Sequence, residues 1–165
     1  MSLERYLTHS NESVREVIKN CLNGTEEVRI LKNEYIIDED STINILNENL
    51  YIEGSLIIGS ATNLEEIKSK LLIIDGNFHI FDCHNLKNLD IENLVVRGGI
   101  IIEDLSARYR IANGSVNDMS IYDCRLQIED VPIVGEKFTA NFLSISCCFL
   151  EGPFCDDIEE QNEDF

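Results

Sequence analysis

Apolar and polar residues alternate along most of the chain, and three times they do so around a glycine. The stretches are IEGSLII at 52–58, IDGNFHI at 74–80 and VRGGIII at 96–102. Steps of two put alternate side chains on opposite faces of a strand. Ile52, Ile74 and Val96 stand two residues before Gly54, Gly76 and Gly98. Leu56, Phe78 and Ile100 stand two after, and Ile58, Ile80 and Ile102 four after. The glycines recur every 22 residues. A fixed period of this length predicts a solenoid in which each coil covers the apolar face of the next.

Other copies are looser. SIYDCRLQIED at 120–130 echoes LVVRGGIIIED at 94–104 with an offset of 26, which predicts a four-residue insertion. FLSISCCFLEG at 142–152 reads as a further strand with Ile145, Cys147 and Phe149 inward, and VRILKNEYIIDEDSTINI at 28–45 begins the stack. Only residues 10–24 switch to helical spacing. There Val14, Val17, Ile18, Cys21 and Leu22 share one face, Ser10 or Asn11 is placed to cap the start, and Gly24 to end it. The expected fold is mainly β: a right-handed parallel β-solenoid of about five coils with an N-terminal capping α-helix. Its parts are the helix, 1–27, the solenoid, 28–152, and an acidic tail, 153–165.

The segment LKNLDIENLVV at 86–96 resembles the leucine-rich-repeat phrase LxxLxLxxNxL, one residue short. GNFHIFDCHNLKNL at 76–89 is similar to the phrasing of receptor L-domain β-helices, and the likeness extends over residues 50–111. This resemblance implies a stacked-coil fold and a binding scaffold without a catalytic centre.

Charge narrows the partners. The chain has 31 acids against 13 bases, a net charge of −18. Such a surface repels nucleic acid and anionic membranes, and draws in a basic protein. Six cysteines (21, 83, 124, 147, 148 and 155) form no CxxC pair, and no apolar leader precedes them. Reduced thiols in a cytoplasmic protein, with no metal or cofactor, are therefore expected.

In a stacked coil, outward residues form columns. They read Tyr51/Ile73/Val95, Glu53/Asp75/Arg97, Ser55/Asn77/Gly99 and Ile57/His79/Ile101. Two of the four are largely apolar, whereas a solvated sheet face alternates cleanly. The helix, the tail, a second copy of the chain or another protein is expected to cover them, with Ile57 and Ile101 as contact residues.

Candidate chemistry is sparse. HIFDCH at 79–84 gathers two histidines, an aspartate and a cysteine, yet further ligands are missing, so a turn capped by Asp82 and His84 is the expectation. Glu103–Asp104 and Glu129–Asp130 follow apparently equivalent strands and are expected to stack, as acid pairs do in β-helices that cut polysaccharides. No nucleotide, serine-nucleophile or metalloprotease motif occurs. The favoured reading is a non-enzymatic, acidic inhibitor or immunity-type protein that binds a basic partner. Glu53, Asp75, Glu103, Asp104, Glu129 and Asp130 form its contact ridge. A self-assembling scaffold and a small carboxylate enzyme are the alternatives.

Overall fold

The structure, a computed structural model, describes residues 3–127, 137–146 and 148–151, the side chains of 125–127 and 149–151 excepted. Its strands pair in parallel and wind into a β-solenoid of about five turns, with a short helix at the N-terminus.

Three faces run along the stack. The first contains β1 (Arg29–Leu31), β4 (Leu50–Ile52) and β7 (Leu72–Ile74); the second contains β2 (Tyr35–Ile37), β5 (Leu56–Gly59) and β8 (Phe78–Phe81). The third contains β3 (Ile45–Leu46) and β6 (Glu66–Ser69). Two long strands, β9 (Asn88–Glu103) and β10 (Arg108–Tyr122), pass through all three faces. Then β12 (Phe138–Ser146) lies on β10, while β11 (Arg125–Gln127) pairs with β13 (Phe149–Glu151).

Step-two residues point inward and make the core, with Ile52, Ile58, Ile74, Phe78, Ile80, Val96, Ile100 and Ile102 all nearly inaccessible. Burying each such side chain contributes about 1.5–3 kcal/mol. At the corner between the first two faces, Gly76 N donates to Gly54 O at 2.9 Å and Gly98 N to Gly76 O at 3.0 Å. A Cβ on Gly76 would fall 3.0 Å from the Gly54 backbone, and one on Gly98 2.7 Å from Gly76 O. Hence the glycines of the repeat mark a corner where successive coils touch. Beside them, Asn77 N donates to Ser55 Oγ (2.9 Å) and Gly99 N to Asn77 Oδ1 (2.8 Å), continuing the ladder through side chains.

The period drifts after the third glycine. Leu72 over Leu50 and Leu94 over Leu72 keep the step of 22. Gly114 sits over Leu94, a step of 20, and Phe138 over Gly114, a step of 24. The expected offset of 26 is therefore wrong: Ser120 pairs with Ile101, a step of 19. The chain shortens here because β9 has Arg97 and Gly98 where β10 has Asn117 alone, shifting the register between Val116 and Asp118. Alternation in 120–130 matches 94–104 at several offsets, and period-two patterning cannot choose among them.

The helix α1 (Glu12–Leu22) starts where expected, with Asn11 Oδ1 accepting from Val14 N at 3.1 Å. Beyond its end, Gly24 has φ +85°, the left-handed turn that the sequence predicts. Val14, Val17 and Ile18 are buried, but Leu22 is exposed. A 3-10 turn, Leu3–Thr8, precedes α1. Both pieces lie along the side of the stack: Leu3, Tyr6, Val14, Val17 and Ile18 form a second apolar cluster with Tyr51, Leu71, Ile73 and Val95.

Candidate functional site

The N-terminal segment is fastened at both ends of its crossing. Tyr6 and Tyr51 both donate their hydroxyls to the Asp75 carboxylate, Tyr51 at 2.9 Å, and the Arg5 guanidinium stands 3.8 Å away. Burial, followed by the bond to Asp75, pushes the Tyr51 hydroxyl up to about 12 and Tyr6 higher still. Farther along, His9 Nε2 lies 2.8 Å from Ser115 Oγ, and Asn11 Nδ2 donates to Lys137 O at 2.9 Å. His9 Nδ1 accepts from Asn11 N (3.0 Å), so in the neutral ring Nε2 carries the proton and donates to Ser115. A general base would need the reverse, so this serine–histidine pair works as a latch. Burial, and secondarily the Arg15 charge, lowers the His9 pKa below its usual value.

This arrangement reassigns Asp75. It was expected on an outward contact ridge; its side chain is 14% exposed and held by residues of the same chain. Glu53, equally enclosed, reaches Lys32 at 3.5 Å.

On the second face, no described segment plays the part that α1 plays on the first. Its outward column runs Ile36, Ile57, His79, Ile101 and Ser120. Ile36 is 54% exposed, while Ile57, His79 and Ile101 are half-buried. The neighbouring column runs Gly59, Phe81, Glu103 and Tyr122. His79 and Phe81 pack their rings 4.6 Å apart, and His79 Nε2 lies 3.0 Å from Glu103 Oε1. A hydrogen bond from Tyr122, helped by His79, holds the Glu103 pKa below the ordinary carboxylate range. Phe81 and Tyr122 thus stand beside the isoleucine column, with Glu103 between them.

Carboxylates border that surface. Asp38, Asp82, Asp104 and Asp123 follow its first, third, fourth and fifth strand passages, and all but the half-buried Asp38 and Asp82 are exposed. Ser60, Asp82, Asp104 and Asp123 share a left-handed backbone at this corner, with φ of 51°, 53°, 53° and 54°. Among the described residues of this face and its two corners, the lysines and arginines are Lys32, Lys87 and Arg97. The third face differs, because Lys68, Arg108 and Arg110 there balance Glu66 and Asp90, with Arg110 and Asp90 paired at 2.7 Å.

Glu103 is half-buried on this face and Asp104 is exposed at its corner. In register, Glu103 faces Tyr122, and Glu129 and Asp130 lie outside the described residues. Phe81 and Tyr122 were missed because alternation alone cannot say which outward residues a helix leaves bare. Cys83, Cys124 and Cys148 are buried thiols donating to backbone carbonyls, Cys124 to Tyr122 O at 3.2 Å and Cys148 to Ser146 O at 3.2 Å. Their shared hydrogen bond, with burial, pushes the Cys124 thiol up, and the same bond draws the Cys148 thiol down. Cys147 and Cys155 lie outside the described residues.

Fold and surface together define a class: a parallel β-solenoid with one side packed under its own N-terminal segment and another, apolar and acid-rimmed, that no described segment covers. Comparison with protein-family models, curated proteins and solved structures gives no match. Among the described residues no helix is long and apolar enough to cross a membrane.

Proposed function

We propose that this protein is a non-enzymatic binding domain that docks a basic protein on the second face of its solenoid. One observation carries the reading. Of two apolar outward columns, the chain's own helix covers Tyr51, Ile73 and Val95 of the first, whereas no described segment covers the second, where Ile36 is exposed and Ile57 and Ile101 are half-buried beside Phe81 and Tyr122. Contiguous apolar surface rimmed by polar residues marks interaction sites, and aromatic residues concentrate in them.

The sign of the charge selects the partner. Asp38, Asp82, Asp104 and Asp123 along one margin, with a net charge of −18 overall, favour a partner rich in lysine and arginine. Inhibition of a basic enzyme in the cytoplasm, as an immunity-type protein would achieve it, is the form such binding takes here. The resemblance to leucine-rich-repeat and L-domain coils, which implies a binding scaffold, agrees with it.

The test is capture of proteins from the source cells at low and high salt, then binding isotherms with the purified partner. The expected partner is basic, binds more weakly as salt rises, and loses affinity for the Ile57→Lys/Ile101→Lys double variant. A partner that binds this variant as tightly as the wild type overturns the reading.

A further inference from the structure

We propose that Asp82, His84 and Asp104 form a binding site for a zinc-class divalent transition ion at the corner that follows the second face. The HIFDCH stretch by itself offers too few ligands; the coil stack supplies another from the next turn. Asp82 and Asp104 end equivalent strand passages, because Phe81 pairs with Glu103, and they share the same left-handed backbone. Parallel neighbours lie about 4.8 Å apart, so the two carboxylates overlie one another. His84, two residues beyond Asp82, folds back over them. Its Nε2 is 2.5 Å from Asp82 Oδ1 and 3.9 Å from Asp104 Oδ2. One ligand atom from each residue lies within 4.8 Å of the other two.

The donors suit the ion. Zinc–nitrogen and zinc–oxygen bonds of about 2.0–2.2 Å place neighbouring ligand atoms about 3.3–3.6 Å apart in a tetrahedron. His84 and Asp104 are exposed and Asp82 half-buried, and on a corner fixed by the coil ladder they reach that spacing by small torsional changes. Ser60 Oγ donates to Asp82 Oδ2 at 3.0 Å, which holds the carboxylate with Oδ1 toward His84. Such outer contacts orient metal ligands. An imidazole with two carboxylates fits zinc better than calcium, which takes an all-oxygen shell. Asparagine adopts the same left-handed backbone without charge. Stacked aspartates are therefore a costlier choice than the turn demands, and a cation removes that cost.

The test titrates ZnCl2 into the full chain against a chromophoric zinc chelator, comparing wild type with His84→Ala, Asp104→Asn and Asp90→Asn. Asp104→Asn keeps the corner backbone, and His84 is exposed, so both variants remain folded. The expected result is saturable zinc binding in wild type and Asp90→Asn, weakened at least about ten-fold in the other two, with CaCl2 a poor competitor. Equal zinc affinity in wild type and His84→Ala, or calcium competing as well as zinc, overturns the proposal.

Discussion

Tyr51, Ile73 and Val95 on the first face and Ile57, His79 and Ile101 on the second are outward columns of similar apolar character, one corner apart. Those three residues of the first column are at most 4% exposed, and its first-coil member, Ile30, stands open at 48%; Ile57, His79 and Ile101 are half-buried and continue into Ile36 at 54%. The difference lies in what borders each column. Beside the first stands Asp75, which Tyr6 and Arg5 of the N-terminal segment grip together with Tyr51 of the column itself, and Ser115 and Lys137 receive the far end of the crossing. The chain then returns from Leu22 to Arg29 in a short connection, so α1 stays over the face it adjoins. Beside the second column stand Glu103 and the corner aspartates, which satisfy His79, Ser60 and His84 and leave the isoleucines open. An apolar column is thus covered or left partly open according to the anchors at its margin.

Placing a charge in each column tests this contrast most severely. Ile73→Lys puts an unpaired ammonium under the helix and is expected to cost about 3–5 kcal/mol, read as a lowered denaturant midpoint. Ile57→Lys should shift stability by no more than about 0.5–1 kcal/mol, because its amine reaches water. Equal losses from the two variants would mean that the second face is also covered. Removing the anchor comes next. Asp75→Ala leaves two phenols and a guanidinium without their acceptor, and the expected loss is about 2 kcal/mol. Hydrogen exchange in residues 12–22 should rise while the inner coil amides keep their protection; uniform loss of protection would show that the helix and coils open as one unit.

The smallest effect comes from acid. A lowered His9 pKa means that the unfolded chain binds this proton more readily than the folded one. The latch therefore contributes fully above the ordinary value of 6.5 and is lost as pH falls through the lowered value. Exchange in α1 should speed up below that point, and His9→Gln should flatten the response. A wild-type profile that is flat there would remove His9 from the latch.

Much of the fold was legible before any coordinates. Period-two apolar spacing, a 22-residue repeat and one helical stretch are local signals, and each arises because a strand or helix must bury one face. Recognition stopped where the register stopped being constant. The steps of 20, 19 and 24 depend on how many residues each corner and bulge consumes, which strand alternation does not record. For that reason Tyr122 was not recognised as the neighbour of Glu103, nor Asp104 as the companion of Asp82 and His84. Asp75 was misplaced for a different reason: its partners Tyr6 and Tyr51 are 69 and 24 residues away.

The sequence alone determined that this chain would stack coils, where its helix would begin and end, and that its surface would be acidic, since those follow from local spacing and composition. Tertiary structure decided which apolar column the helix sealed, which acids became internal anchors, and which side chains from different turns met at a corner. Those outcomes rest on contacts between residues distant in the chain, and no local pattern encodes the path that brings them together.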